Sequence, residues 1–233
     1  MIDLHAHILP GIDDGSRNIS ESLKMLAASA SQGISRIAAT PHFYPAENNI
    51  TDFLARRADA ASALKASWQP GLPKLLLGAE VYYFDGMSRV QELDMLRIEG
   101  TPFLLVEMPF ISWSERMVHE IEALHLRPGN LVVLAHIERY LPYRRNAVWL
   151  SVLRGAGVLM QCNAVFFLSW RTRRKAMRML KRGEIDFLGS DCHNMNNRTP
   201  ELGDALTVIG EEGRQIIAKN ISRLLSGWEA DVT

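Results

Sequence analysis

Two histidines and an acidic pair lie within the first fifteen residues and could together bind a metal ion. His5 and His7 are separated by one residue, and on an extended backbone this spacing turns both imidazole rings to the same side. Pro10-Gly11 predicts a turn, after which Asp13 and Asp14 bring carboxylates back toward the histidines. Neutral imidazole and carboxylate are common ligands of first-row metal ions. The opening segment is therefore predicted to form part of a metal site.

Further histidines and carboxylates lie at or just beyond the ends of apolar segments along the rest of the chain. An acid beside an apolar strand is costly unless it is paired or bound to a metal. A buried ion pair would explain Glu80 or Glu107 alone, but that explanation would have to hold independently at six strand ends. His119 and His125, on a predicted outer helix, are interpreted as ordinary surface residues. The side chains that follow the apolar segments are His42, Glu80, Glu107, His136, Asp191 and His193.

Short apolar strands that alternate with helices must position these side chains, which is the pattern of a parallel α/β fold. The strands are nearly continuously apolar, as expected where both faces of a sheet are buried. Seven strands predict a barrel that closes with seven strands, and no linker or repeat divides the chain, so residues 1–233 are predicted to be one domain. Strands are predicted at the N-terminus and at 36–40, 75–79, 103–106, 131–135, 158–161 and 185–190, and helices at 20–32, 50–68, 114–126, 146–155, 169–182 and 201–225.

The carboxyl ends of parallel barrel strands meet at one face, where barrel enzymes have their active sites. With Asp14 the predicted ligands comprise five histidines and four carboxylates, a number that suits two or three ions. The lack of thiolate favours manganese, iron or zinc over copper. Three divalent ions would exceed the charge of the four carboxylates by about two, which matches a phosphate dianion, and multi-metal sites recur in phosphoester hydrolysis.

Composition excludes several other classes of protein. Lysine plus arginine and aspartate plus glutamate number 26 each, so no net positive charge favours nucleic acid or anionic lipid. No apolar run approaches the roughly 18 residues of a membrane span. The two cysteines, Cys162 and Cys192, suggest no disulfide framework, and the chain begins directly with the first strand instead of a signal peptide. We therefore expect a cytoplasmic protein without nucleic-acid partner or membrane insertion.

Several short motifs resemble those of the polymerase and histidinol phosphatase (PHP) superfamily. They are His5-Ala-His7, Thr40-Pro-His42, Glu80, His136 and Ser190-Asp-Cys-His193. More narrowly, the chain is similar to the manganese-dependent protein tyrosine phosphatases of bacterial capsule and exopolysaccharide loci. The narrower resemblance is carried by Leu9-Pro-Gly-Ile-Asp-Asp-Gly15, Ala39-Thr-Pro-His42, Ala135-His-Ile-Glu-Arg-Tyr140 and His193-Asn with Arg198-Thr-Pro200. It covers nearly the whole chain. Three departures concern Ile137, where a proline is usual, the aromatic stretch 165–171, and Asn220-Ile221, where Asn-Pro is usual.

The resemblance implies a distorted TIM-like (β/α)7 barrel of the PHP type and assigns roles to the candidate residues. One ion would be held by His5, His7, Glu80 and Asp191, a second by Glu80, Glu107 and His136, and a third by Asp14, His42 and His193. Manganese is the expected metal, with iron or zinc as alternatives. Arg139 and Arg198 would clamp phosphate, and Asp14 is counted with them as catalytic. The implied substrate is a phosphotyrosine protein, namely the tyrosine-rich tail of a bacterial tyrosine autokinase.

The mechanistic hypothesis is in-line attack of a metal-bridged hydroxide on phosphorus. A cysteine nucleophile is rejected because no Cys-x5-Arg loop surrounds either cysteine and because strand alternation turns Cys192 away from Asp191 and His193. Two alternatives stay open: a small-molecule phosphatase of the same superfamily, such as one that acts on histidinol phosphate, and an inactive metal-binding module that serves a partner. A nuclease is disfavoured by the balanced charge.

Overall fold

A curled, wholly parallel sheet forms the centre of the computed structural model, which describes residues 1–225. Its strands are β1 Ile2–Ala6, β2 Arg36–Ala39, β3 His42–Phe43, β4 Lys74–Leu77, β5 Glu80–Tyr82, β6 Phe103–Glu107, β7 Leu131–Leu134, β8 Leu159–Asn163 and β9 Phe187–Gly189. They form two hydrogen-bonded series, β1-β2-β4 and β3-β5-β6-β7-β8-β9. The segment after β9 returns to β1 through a bridge between Ala6 and Cys192, so the sheet curls back on itself.

All seven predicted strands are present, but the second and third are each interrupted. The second breaks between β2 and β3 at Pro41, which has no N–H to donate to a ladder. The third breaks between β4 and β5 at Gly78, where an added Cβ would lie 2.9 Å from the side chain of Ile98. The resumed strands pair at His42 and Glu80, so the interruption brings two predicted ligands side by side.

The helices lie largely where hydrophobic periodicity predicts them. Asn18, Asn49 and Ser114 cap the first three helices by accepting backbone N–H groups. The prediction of one helix over 169–182 was wrong at its start, because a separate helix ends before the extended residue Ser169. The helices are α1 Ile19–Ser31, α2 Ile50–Lys65, α3 Glu115–His125, α4 Asn146–Gly155, α5 Ala164–Leu168, α6 Arg173–Lys181 and α7 Leu202–Leu225, with 3₁₀ helices at Met87–Arg89, Gln91–Leu96 and Ile137–Tyr140. Gly210, at φ 68°, kinks α7.

An apolar cluster with members from β1, β2, β4, β6, β7, β8 and β9 lies inside the curled sheet. Phe103 and Phe187 pack there with ring centroids 5.2 Å apart, and Ile221 and Leu224 of α7 pack against the cluster. Separate clusters join the outer face of the sheet to the helices. Polar side chains are therefore left to gather at the carboxyl ends of the strands. None of the helices in residues 1–225 combines the length and apolar character needed to cross a bilayer.

Candidate metal centre

The nine predicted ligands converge at the carboxyl end of the sheet. The first group surrounds Glu80, whose Oε2 lies 3.2 Å from the Nε2 atoms of both His5 and His7. Asp191 Oδ1 lies 3.5 Å from the same two nitrogens. All four side chains are buried, and their ligand atoms lie within 4.8 Å of one another, which is close enough to share one ion.

The other two groups share residues with the first. His136 Nε2 lies 3.0 Å from Glu80 Oε1 and 3.3 Å from Glu107 Oε1, as the implied second site requires. His42 is also adjacent, since its Nδ1 lies 3.1 Å from Glu80 Oε2, so it faces the second group as well as the third.

In the third group Asp14 Oδ1 lies 3.3 Å from His193 Nε2 and 3.6 Å from His42 Nε2. His7 joins this group too, with its ring 3.8 Å from that of His193.

Unpaired buried atoms show that the donors fit metal ions. Glu80 Oε2 is surrounded by three histidine nitrogens, yet it accepts no hydrogen bond from any of them. His193 Nε2, which faces Asp14, and His42 Nδ1, which faces Glu80, are likewise buried without a hydrogen-bond partner among the described residues. Groups of this kind are costly to bury unless something lies between them. Imidazole and carboxylate donors without thiolate suit manganese, iron or zinc.

Electrostatics favour the protonated imidazoles of His7 and His136 and the ionised carboxylate of Asp191, whereas burial lowers the pKa values of His42 and His193. Burial alone would lower the pKa of His7, but Asp13 and Glu80 outweigh it and raise that pKa to about 10. Burial is likewise outweighed at His136, where Glu107 and Glu80 raise the pKa to about 9. The pKa of Asp191 is held well below its usual range, because His5 and its other cationic neighbours outweigh the effect of burial. Divalent cations would replace the protons that this charge distribution holds.

Two of the candidate ligands have a strained backbone. His136 at φ 32° and Asp191 at φ 52° are the only residues other than glycine with positive φ within residues 1–225. Such conformations cost about 1–3 kcal/mol and persist where surrounding contacts enforce them, often at functional sites. Here the His136 N–H donates to Gln161 Oε1 at 2.7 Å, and the Asp191 N–H donates to the carbonyl of His5 at 2.9 Å.

Three residues that were not predicted from the sequence to be metal ligands hold the candidate ligands in place through buried side chains. Asp13 Oδ2 accepts from His7 Nδ1 at 2.7 Å and from the His42 N–H at 3.0 Å. Gln161 Oε1 lies 3.1 Å from His5 Nδ1, and Asn163 Nδ2 donates to Asp191 Oδ2 at 2.7 Å. Asp13 stands in the quoted motif beside Asp14, and the polar pair in the apolar strand β8 was a second available signal.

An irregularity in β1 orients the first histidine. The register between β1 and β2 shifts between Asp3 and Ala6, and such bulges re-aim side chains near active sites. The buried Asp3 Oδ1 accepts from the N–H groups of His5 and Ser190 at 3.2 and 3.1 Å. It therefore fixes the first and last strand segments against each other below the cluster.

Both predicted arginines reach the cluster and meet at one carboxylate. Arg139, from the 3₁₀ helix Ile137–Tyr140, donates to Asp191 Oδ2 at 2.9 Å. Arg198 lies 2.7 Å from Asp191 Oδ1 and 3.9 Å from Asp14 Oδ2. The loop that carries Arg198 is held by Asn194, whose Oδ1 accepts three successive backbone N–H groups. Both guanidinium groups are partly exposed, so an anion can reach them.

Aromatic side chains flank the cluster on two sides. Phe110 is 40% exposed, and its ring centroid lies 5.8 Å from that of His136. The Arg139 guanidinium carbon lies 5.9 Å from the same ring. Tyr44 stacks on His42 with ring centroids 5.1 Å apart. An aromatic group bound next to Arg139 would therefore contact apolar surface.

The remaining sulfur and imidazole groups lie away from this chemistry. Cys192 packs among apolar residues of the outer cluster, as strand alternation predicts, and burial raises the pKa of its thiol. His119 is exposed, as predicted for a surface residue. The same prediction was wrong for His125. His125 is partly buried and accepts the Val132 N–H at Nδ1.

Comparisons with known proteins agree with this geometry. The model of a family described as "Capsular polysaccharide synthesis, CpsB/CapC" matches residues 1–226. Tyrosine-protein phosphatase YwqE of Bacillus subtilis is 28% identical over 222 residues, which cover 91% of this chain and 85% of the relative. Tyrosine-protein phosphatase CpsB of Streptococcus agalactiae is 26% identical over 240 residues, which cover 97% of this chain and 98% of the relative.

A solved structure also matches the fold of this chain. It belongs to the crystal structures of YwqE from Bacillus subtilis and CpsB from Streptococcus pneumoniae, described as unique metal-dependent tyrosine phosphatases. The match has a TM-score of 0.81 at 27% identity and covers 97% of this chain and 94% of that one. The predicted distorted (β/α)7 barrel is thereby confirmed.

Proposed function

Because this chain belongs to the CpsB/CapC family of capsular polysaccharide synthesis proteins, we propose that it hydrolyses phosphotyrosine on proteins in a metal-dependent reaction. The observation that carries the proposal is the buried Glu80 carboxylate, which faces three histidine nitrogens without a hydrogen bond at Oε2. Two arginines stand beside this cluster. Metal-ligand chemistry and phosphate-binding chemistry therefore meet at one place, as they do in metal-dependent phosphoester hydrolysis.

We propose two or three manganese ions as the native cofactor. His5, His7, Glu80 and Asp191 would hold the first ion, Glu80, Glu107 and His136 the second, and Asp14, His42 and His193 the third. His42 also lies next to the second group and His7 next to the third. Metal ions supply a nucleophile at neutral pH by lowering the pKa of water, and they neutralise the charge of the phosphate.

The side chains of the chain itself position the phosphate and stabilise its charge. Arg139 and Arg198 can each donate two N–H groups to phosphate oxygens and so hold the group against the cluster. They would also stabilise charge that builds on the equatorial oxygens during transfer. Tyrosine has a pKa of about 10, so phenolate departs without strict need of a general acid. Asp14 is the most exposed of the candidate ligands. We propose that it is catalytic as well as a metal ligand, at the side of the site that solvent reaches.

Phe110 is proposed to bind the ring of the leaving group. Its exposed ring stands beside Arg139 and His136, where the phenyl group of phosphotyrosine would follow the bound phosphate. Aromatic pairs at such distances stabilise by about 0.5–1.5 kcal/mol beyond area burial. The Phe110 ring would therefore favour aryl phosphates over alkyl phosphates as substrates.

The proposed partner is a phosphotyrosine protein of capsule or exopolysaccharide synthesis, with the tyrosine-rich tail of a tyrosine autokinase as the expected substrate. We propose residues 1–233 as one catalytic domain. A cytoplasmic location is also proposed, and the free thiols of Cys162 and Cys192 support a reducing compartment.

One experiment tests the function directly. Purified protein is stripped with a chelator, restored with Mn²⁺, Fe²⁺ or Zn²⁺, and assayed on a phosphotyrosine peptide, a phosphoserine peptide and histidinol phosphate. We expect metal-dependent turnover of the phosphotyrosine peptide with the highest kcat/KM. Full activity after exhaustive chelation would refute the metal mechanism. Preference for histidinol phosphate would assign a small-molecule phosphatase instead, and loss of turnover on every substrate would favour the inactive module.

A further inference from the structure

A second cavity lies away from the metal centre, between α4, α6 and the 3₁₀ helix Ile137–Tyr140. Its volume is about 370 Å³, within the range of about 300–1,000 Å³ that is typical of small-molecule sites. None of the nine candidate metal ligands lines it. The cavity is therefore separate from the site described above.

The floor of this cavity is apolar and buried. Ile137, Leu150, Met160 and Met179 line it, and each of them is buried. Methionine adapts its shape to irregular partners and makes favourable contacts with aromatic rings. A flat, apolar ligand body could therefore lie on this floor.

The rim is strongly cationic although the whole chain has no net charge. Arg154 of α4 and Lys175, Arg178 and Arg182 at α6 line it. Arg182 is 3.8 Å from Glu184, the one acid of the lining, and Asp186 acts electrostatically on Arg154. Within residues 1–225, Arg154, Lys175 and Arg178 form no ion pair. Repulsion between these cations would be relieved by an anion bound between the two helices.

We propose that this cavity binds an organic phosphate of nucleotide size, with its apolar body on the floor and its phosphates between α4 and α6. The cations surround a concave space with an apolar base, whereas an anionic membrane would require a flat or convex cationic face. Lysine and arginine from two different helices can approach a phosphate from two sides.

The cavity is also connected to the phosphatase site by chain continuity. Ile137, on the floor, lies between the candidate ligand His136 and the candidate phosphate clamp Arg139. The Arg139 N–H donates to the His136 carbonyl at 2.9 Å, so a hydrogen-bonded turn joins the two residues across Ile137. Occupancy of the cavity would thus bias the position of Arg139 and alter turnover. This coupling rests on the proposed phosphatase function, while the binding site does not.

Calorimetric titration of the metal-loaded protein with ADP tests the site. We expect saturable binding of one ADP and at least tenfold weaker affinity in Arg154→Glu and Arg178→Glu. Arg174→Glu is the matched control, because Arg174 is exposed on α6 but does not line the cavity. Ser151→Trp would fill the cavity without changing charge and should weaken binding equally. Pyrophosphate, which lacks the apolar body, should bind at least tenfold more weakly than ADP.

Several outcomes would overturn the proposal. An equal loss of ADP affinity in Arg174→Glu would mean that ADP is attracted by the general positive charge of α6 and not bound in the cavity. Loss of ADP binding in Arg198→Ala would place the ligand at the metal centre. Absence of saturable binding at millimolar ADP would refute the site outright. Saturating ADP should shift kcat or KM at least twofold in the wild type but not in Arg178→Glu, and an unchanged rate would refute the coupling while leaving the phosphatase assignment intact.

Discussion

Replacement of Asp13 by asparagine should weaken metal binding although Asp13 is not a candidate ligand. Its Oδ2 accepts from His7 Nδ1 at 2.7 Å and from the His42 N–H, and its Oδ1 accepts from the Gly15 N–H at 3.0 Å. An asparagine amide has only one acceptor oxygen, so one of its two orientations sets NH2 against His7 and the other sets it against Gly15.

The two orientations damage the site in different ways. With NH2 facing His7, the ring must keep its proton on Nε2, which is the nitrogen that faces Glu80 and Asp191. With NH2 facing Gly15, His7 keeps its tautomer but loses the negative charge that raises its basicity. Loss of such supporting partners typically costs 10- to 100-fold in metal affinity, which corresponds to about 1.4–2.7 kcal/mol.

The assay compares chelator-treated Asp13→Asn, wild type and the exposed control Asp59→Asn as Mn²⁺ is titrated back. Bound metal and phosphotyrosine turnover are measured on the same samples, and thermal melts check folding. We expect the Mn²⁺ dependence to shift 10- to 100-fold, with kcat partly restored at saturating metal. If Asp13→Asn keeps both metal affinity and kcat within twofold of the wild type, the positioning role of Asp13 is wrong.

Three further predictions follow from the same geometry. Arg139→Ala and Arg198→Ala should each lower kcat by about 10²–10³ with metal content retained, by analogy with other electrostatic donors. Lysine at either position should restore the rate only in part. Near wild-type kcat and KM in both alanine variants would refute the proposed binding of phosphate by these arginines. Cys192→Ser should keep most activity, and a loss beyond about a thousandfold at unchanged metal content would contradict a hydroxide nucleophile. Burial raises the pKa of Asp186, so the folded state retains its proton more tightly than the unfolded state, and this contribution to stability is lost as pH rises above the ordinary aspartate range. The Tm of Asp186→Asn minus that of the wild type should therefore increase from pH 3 to pH 7, and a pH-independent difference would exclude this linkage.

The parallel α/β architecture, the strand positions and the location of the cluster could be predicted because they follow from local chemistry. The apolar residues of a strand predict that it is buried, and a histidine or glutamate directly after them marks its carboxyl end. Parallel strands bring these ends together at one face. Glu80 and Glu107 were found by this logic, and the structure brings both to His136. The grouping of the ligands was less predictable. His42 faces both the second and third groups because the break at Pro41 restarts the strand next to Glu80.

The supporting residues were missed because their role depends on distant contacts. Gln161 and Asn163 lie in an apolar strand without proposed ligands of its own, and nothing local shows that they reach His5 and Asp191. The short helix Ala164–Leu168 was missed for a similar reason. Its five residues are too few to show a helical period, and tertiary packing of Phe166 and Phe167 decides its conformation.

Asp191 contacts candidate metal ligands and both arginines with one carboxylate. Its Oδ1 faces His5, His7 and Arg198, and its Oδ2 accepts from Arg139 and Asn163. The positive φ that aims it is held by the hydrogen bond from its own N–H to β1. The same carboxylate therefore holds both arginines beside the candidate metal ligands. A bound phosphate dianion would have to compete with Asp191 for the guanidinium groups, and a metal ion held by Oδ1 would weaken the attraction of this carboxylate for Arg198. Metal binding would in this way release the arginines for substrate.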